Sequence, residues 1–141
     1  MRIILASKSG VRKKILNDFK IDCQVIASQV DEDEVKQSLL AEGADPLIIS
    51  KNLAEIKSIK VSSKNPDRLV IGADSVISLQ DQLINKPRSR DEAFSTLKKL
   101  NNSVHYLISS VCISKNGAMI WNHSDTSESV SYTHLTLPTK A

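Results

Sequence analysis

The chain opens with a short aliphatic run, Ile3-Ile4-Leu5-Ala6, that gives way at once to Ser7-Lys8-Ser9-Gly10. Val11, Ile15, Leu16 and Phe19 then recur at helical spacing. A buried strand that turns directly into a helix commits the chain to an α/β plan. It also leaves backbone N–H groups at the helix start without intrahelical partners. Those donors, the positive end of the helix dipole, the hydroxyls of Ser7 and Ser9 and the guanidinium of Arg12 together suit an anion such as a phosphate. The plainer alternative makes Ser9 an N-cap followed by a solvated basic turn.

The rest of the chain keeps to the same plan. A helix is predicted over about 10–20 and a second strand over 21–27. Val30-Asp31-Glu32-Asp33-Glu34 reads as an acidic loop or helix start. Asp45-Pro46 signals a helix, since Pro is favoured in the first helical turn. That helix runs through Leu53, Ile56 and Lys60 to about Ser62, where Ser63-Lys64-Asn65-Pro66-Asp67 breaks it. A strand begins at Leu69 and passes Asp74 to Ile77, with a turn at Asp81-Gln82. Ser89-Arg90-Asp91-Glu92 fits a capping box, ahead of a helix expected to bury Ala93, Phe94, Leu97 and Leu100. Val104–Ser114 and Met119–His123 read as a hairpin around Asn116-Gly117. The sum is a mixed β-sheet flanked by helices.

Composition narrows the functional classes. The 141 residues suffice for one domain with one core. Aromatics are 4%, so that core is aliphatic. A formal charge of +3 is too mild to argue for a nucleic-acid or membrane surface. No apolar stretch approaches the roughly 20 residues of a membrane span. The N-terminal apolar run is too short for a signal peptide. Cys23 and Cys112 are far apart in sequence and sit in apolar surroundings, which reads as two buried free thiols in a reducing compartment.

Several side chains beyond the first turn can carry chemistry. Asp74 closes the apolar run Leu69-Val70-Ile71-Gly72-Ala73. A carboxylate at that place can hold Mg²⁺ or activate a water, or merely cap a loop. The acidic cluster at 31–34 offers a second metal ligand or a solvated turn. Lys57 borders the buried face of its helix and reaches inward to a phosphate or snorkels outward. Lys86 precedes Pro87, which holds it in extended backbone, where it meets a phosphate or, by default, is a plain surface lysine. His105, at a strand start, reads as a packed or hydrogen-bonded histidine.

The order of these pieces carries more than any one of them. Leu5-Ala6-Ser7-x-Ser9, Arg12, Val30-Asp31-Glu32, Leu53-Ala54-x-x-Lys57, Gly72-Ala73-Asp74, Lys86-Pro87 with Glu92-Ala93, Leu97 and Leu100, and then His105 follow one another. That succession, over about residues 3–130, resembles the Maf family of nucleoside triphosphate pyrophosphatases. The resemblance implies a mixed α/β fold related to the inosine-triphosphate pyrophosphatases, with a cleft for one nucleotide. It implies hydrolysis of a nucleoside triphosphate to the monophosphate and pyrophosphate, aided by Mg²⁺ or Mn²⁺, in the cytoplasm, as a house-cleaning activity. By that likeness Asp74 is the proton acceptor and a metal ligand, with Glu32 beside it on the metal. Ser7, Ser9, Arg12, Lys57 and Lys86 hold the triphosphate. A homodimer is implied, with no nucleic-acid or membrane partner.

There are departures from the family pattern. Gly10 stands where the family's first turn usually has Pro, and Val11 where it has a larger residue. Position 11 and position 75, a Ser here, are associated in the family with base preference, and Val11 and Ser75 match neither of its main groups. Family members continue further, so residues 1–130 are expected to form a Maf-like domain incomplete at its C-terminal end. The Thr- and Leu-rich 131–141 is expected to be a non-native tail. A non-catalytic nucleotide-binding regulator linked to septum formation or cell division is the alternative. A generic phosphate-binding α/β domain, such as a nucleotidyltransferase fragment, is a third reading.

Overall fold

The computed structural model describes residues 2–130. Its elements run β1 (Ile3–Leu5), α1 (Gly10–Asp18), β2 (Cys23–Val25), α2 (Glu32–Ala41), α3 (Pro46–Lys64), β3 (Val70–Leu79), β4 (Gln82–Ile84), α4 (Arg90–Leu100), β5 (Val104–Lys115) and β6 (Ala118–Val130). The strands form one mixed sheet in the order β2-β1-β3-β5-β6, with β4 added on β3. β1 runs parallel to β2 and β3, while β5 and β6 extend the sheet antiparallel.

β3 is the axis of the sheet. β5 pairs with it from Val70 to Ser78, along one edge. The other edge is shared: β1 takes Val70 and Ile71, and β4 takes Ile77 to Leu79. Between them Gly72–Val76 has no ladder partner on that side among the described residues, so the sheet opens into a notch around Asp74. Asp74 is therefore inside a continuous strand, where the sequence places it at the end of an apolar run. The strand read from Leu69 past Asp74 to Ile77 is present as β3, and the break lies in its neighbours.

α3 lies across the face of β3 and β5. Its buried residues recur every three or four positions (Ile49, Ser50, Leu53, Ala54, Lys57, Ser58, Val61, Ser62), which is one helical stripe. Half of that stripe is small, and the helix sits close to the sheet. Gly72 shows how close: a Cβ built there would fall 2.4 Å from the Ala54 carbonyl oxygen. The serines on the seam satisfy one another. Ser58 Oγ is 2.7 Å from Ser114 Oγ, Ser50 Oγ donates to Ser110 Oγ at 2.9 Å, and Ser62 Oγ accepts the Gly117 N–H.

Several expectations need correction. α2 is a full helix, capped by the Asp31 carboxylate on the Glu34 N–H, and extends well beyond the acidic start read in the sequence. α4 buries Leu100 but leaves Leu97 exposed and Ala93 and Phe94 half-buried. Its Ser89 cap forms, while the Glu92 carboxylate takes the Arg88 N–H in place of the Ser89 N–H. β6 runs on to Val130, past the His123 limit read from the sequence, because β5 offers it a pairing edge along its whole length. The Asn116-Gly117 turn is present, with both residues at positive φ. The proposed tail, 131–141, lies outside the described residues.

Candidate active site

The first turn forms as a compact hydroxyl cluster. Ser9 caps α1 by accepting the Arg12 N–H at 3.2 Å. Ser7 Oγ accepts the Ser9 N–H at 3.0 Å and an Arg12 guanidinium N–H at 3.3 Å. The N-cap reading of Ser9 therefore holds, and so does the gathering of hydroxyls and guanidinium at one helix start. Arg12 is folded back over the loop by Ser7 and faces the notch beside β3.

Lys57 is the cation at the centre. It is buried, and its ammonium touches the Glu32 carboxylate, lies 3.4 Å from Asp74 Oδ1 and donates to the Ala73 carbonyl at 3.3 Å. The inward placement is the observed one, with two carboxylates and a carbonyl of this chain as partners where the sequence reading has a phosphate. It arises because α3 runs directly over β3 at Gly72, which brings position 57 above Asp74. Glu32 arrives from the first turn of α2, where its charge also suits the helix dipole.

The two carboxylates differ in environment. Burial pushes the Asp74 carboxyl above its ordinary value, with the neighbouring Glu32 charge adding to the rise and Lys57 and Lys36 opposing it. Burial also pushes Glu32 upward. There the hydrogen bond and charge of Lys57, with Lys36 and Lys86, outweigh it and hold the carboxyl below its ordinary value. The same neighbourhood thus acts on the two acids in opposite directions, Asp74 upward and Glu32 downward.

A cavity of about 450 Å³ joins these groups. Ser7, Ser9, Arg12, Glu32, Lys57, Asp74, Ser75 and Lys86 all line it, together with Lys8, Ser28 and Gln29, which sequence reasoning missed. No sequence signal marks Ser28 and Gln29, which enter through the loop between β2 and α2. Val11 does not line this cavity; it is 70% exposed on the outer side of α1. His105 stands apart, half-buried, with Nδ1 3.4 Å from the Ser103 carbonyl. Cys23 and Cys112 are free and buried, and burial followed by the Glu55 charge pushes the Cys112 thiol up to about 11, which keeps it unreactive.

The donor set also suits a hard divalent cation. Asp74 Oδ2 is buried and has no hydrogen-bond partner among the described residues, which is costly unless a donor or a cation meets it. Glu32 and Asp74 share one cation and face the same cavity. Mg²⁺ is commonly held by one or two carboxylates, with waters and substrate phosphates completing its octahedron. No group of three or more His, Cys, Asp or Glu side chains poised for a metal exists among the described residues, so an all-protein cage does not fit but a two-carboxylate site does.

Fold and site together define an α/β domain that collects an acidic pair and several cations around one cleft. The chain belongs to the Maf family: the family described as Maf-like protein matches residues 2–138. It is 58% identical over 123 residues to a protein of Pelagibacter ubique named nucleoside triphosphate pyrophosphatase, a match covering 87% of this chain and 63% of that one. It is 35% identical over 137 residues to a Brucella abortus protein named 7-methyl-GTP pyrophosphatase, covering 97% of this chain and 66% of that one. The chain thus spans less than two thirds of the length of these relatives. Among solved structures it is similar to a HAM1 protein from Coxiella burnetii, with a TM-score of 0.59 at 13% identity, covering 91% of this chain and 71% of that one. A dITP/XTP pyrophosphatase from Mycobacterium abscessus aligns with a TM-score of 0.50 at 10% identity, covering 91% of this chain and 71% of that one. At such identities the likeness concerns the fold, which is the mixed sheet expected for this family.

Proposed function

We propose that this protein hydrolyses nucleoside triphosphates to the monophosphate and pyrophosphate. The observation that carries the reading is the Asp74 carboxylate, buried with one oxygen unpartnered among the described residues, at the wall of a cavity that Arg12, Lys57 and Lys86 also line. The names of the relatives from Pelagibacter ubique and Brucella abortus point the same way.

The roles follow from the residue types. Arg12, Lys86 and the hydroxyls of Ser7 and Ser9 bind the phosphate oxygens and orient the chain of phosphates. Asp74 accepts the proton of a water as its oxygen bonds to the α-phosphorus, and the bond from that phosphorus to the bridging oxygen breaks. The electron pair leaves on pyrophosphate. The raised affinity of Asp74 for a proton makes it a better base than an ordinary carboxylate. Lys57 holds Asp74 and Glu32 in place and offsets their mutual repulsion. Glu32 and Asp74 would hold Mg²⁺ or Mn²⁺, which when bound supplies positive charge to the phosphate oxygens.

Ser75 lines the same cavity and supports the reading that it bears on base preference; Val11 would act there only through a ligand reaching round α1. Two buried free thiols suit a reducing compartment, the cytoplasm. No helix among the described residues is long and apolar enough to cross a membrane.

The test is pyrophosphate release by the full chain over a panel of standard, inosine, xanthosine and 7-methylguanosine triphosphates with Mg²⁺ or Mn²⁺. Release from at least one of them is the expected result. Tight nucleotide binding without release would favour the regulatory module, and release only in the presence of a second acceptor would favour a transferase.

A further inference from the structure

Three cavities converge on Asp74 and Ser75, and their linings differ in kind. The central one, described above, holds the carboxylate pair. A second, of about 310 Å³, is apolar and runs under α1, between Ile15, Leu16, Ile71, Ala73 and Val111. A third, of about 320 Å³, opens between α2 and the loop that follows β4; Lys36, Asn85, Lys86 and Arg88 line it, with Glu32 and Asp33. Lys86 belongs to both the central and the third cavity, so the two communicate.

The charges of this third cavity are unevenly paired. Glu32 and Asp74 share Lys57. Asp33 has Arg88, at 3.8 Å and with both side chains largely exposed, a contact of little strength that an anion can replace. Lys36 and Lys86 have no carboxylate within ion-pair distance among the described residues. Lys36 stands one helical turn after Glu32, on the same side of α2, and is half-buried. Its charge reaches both Glu32 and Asp74. A half-buried lysine with no carboxylate in direct contact among the described residues, in a cavity that continues the phosphate cleft, fits an anion supplied from outside the chain.

We propose that the chamber between α2 and the β4–α4 loop seats the terminal two phosphates of the substrate, and the pyrophosphate they become, with Lys36 as the residue that binds them beside Lys86. The proposal rests on the pyrophosphatase reading for the identity of the anion. It assigns opposite ends of the nucleotide to opposite sides of Asp74: phosphates toward α2, nucleoside toward the apolar groove under α1. Breaking the bond between the α-phosphorus and its bridging oxygen leaves the electron pair on the departing pyrophosphate. A lysine at that side stabilises charge where it develops.

The test is isothermal titration of inorganic pyrophosphate, and separately of a nucleoside monophosphate, into the full chain and into Lys36→Gln, Lys36→Arg and Lys98→Gln, with pyrophosphate release measured on the same preparations. Lys98 lies on α4 and lines none of the three cavities. Loss of one charge-assisted contact predicts about tenfold weaker pyrophosphate binding for Lys36→Gln, with monophosphate binding unchanged. Lys36→Arg keeps the affinity and Lys98→Gln does not lower it. The proposal is overturned if the parent chain does not bind pyrophosphate, if Lys36→Gln binds it like the parent, or if pyrophosphate and monophosphate weaken together. Pyrophosphate binding that depends on Lys36, in a chain that cleaves no nucleotide, would sink the pyrophosphatase reading and leave the seat standing.

Discussion

Lys57 and Asp74 face each other across the α3–β3 seam, with Nζ 3.4 Å from Oδ1, while the same ammonium touches Glu32. One buried cation therefore holds two carboxylates that come from separate elements. Removing it leaves like charges side by side in a partly desolvated site. Lys57→Met is expected to lower stability by about 3 kcal/mol or more, read as a shift of the urea midpoint at constant slope. Adding Glu32→Gln to that variant removes the repulsion and is expected to restore part of the loss. A Lys57→Met protein as stable as the parent contradicts this account of the site.

Asp74→Asn removes the proton acceptor proposed for the reaction without changing the size of the side chain. A positioned general base contributes roughly 10²–10⁴-fold to such reactions, so pyrophosphate release is expected to fall by at least about 100-fold. Stability at neutral pH is expected to stay level or rise, because burial already disfavours the charged form of Asp74 and Lys57 keeps Glu32 as a partner. Release at the parent rate by Asp74→Asn rules out the assigned role.

The pH dependence has a definite sign. The folded protein holds a proton on Asp74 more tightly than the unfolded chain does. This group's contribution to stability is complete below its ordinary value of 3.8 and is lost as pH rises through the raised one. Glu32 acts in the opposite sense: its contribution is present above 4.5 and is lost as pH falls through the lowered value. For the proposed activity, with Asp74 as the base, the acid limb is expected above the position an ordinary aspartate would give it. Glu32→Gln removes a like charge and leaves Lys57 to Asp74 alone, so that limb moves to lower pH. Carboxyl ¹³C titration of Asp74 in the parent and in Glu32→Gln measures the shift directly. Movement to higher pH contradicts the electrostatics described here.

What the sequence disclosed was whatever had a local cause. The turn after β1, the Asp45-Pro46 helix start, the Ser89 cap and the Asn116-Gly117 turn each rest on side chains acting on nearby backbone, and each is present. The candidate site was legible because its residues are charged or hydroxylated and sit beside such signals. What stayed hidden depends on distant partners. α2 buries no residue fully, so its apolar stripe is weak, although the Asp31 cap and three acids in its first turn were there to be read. With that helix unread, Lys36 could not be placed one turn from Glu32. The polar second half of β6 has no alternating pattern and is a strand because β5 provides an edge. The buried serines of α3 and β5 look like surface residues until their hydroxyls are seen to pair across the seam.

That seam yields a double-mutant prediction. Ser58 Oγ and Ser114 Oγ are 2.7 Å apart and both residues are fully buried. Replacing Ser58 by Ala strands the Ser114 hydroxyl, at a cost of about 1–3 kcal/mol, and replacing Ser114 takes one partner from Ser58. Ser58 keeps a bond to the Glu55 carbonyl at 3.0 Å, so Ser114→Ala is expected to be the milder change. The double substitution is expected to cost less than the sum of the two single ones, since no hydroxyl is left without its partner. Additive losses in urea unfolding would show that the two hydroxyls do not interact.

Gly72→Ala tests whether the helix-to-sheet distance sets the site. An added Cβ would meet the Ala54 carbonyl oxygen at 2.4 Å and the Ser58 nitrogen at 2.7 Å, both backbone atoms of α3 that have no rotamer to yield. α3 must move off β3 or the sheet must bend. Overpacking of this kind costs about 1–3 kcal/mol, occasionally more. Because Lys57 lies between Ala54 and Ser58 in register with this contact, the same displacement draws its ammonium away from Asp74. Gly72→Ala is therefore expected to lower the urea midpoint and to raise the Asp74 carboxyl titration further, since burial persists while the opposing cation recedes. A destabilised variant whose Asp74 titrates as in the parent would mean that α3 shifts without carrying Lys57. A variant with parental stability would mean that the close approach at Gly72 is not what fixes α3 on the sheet.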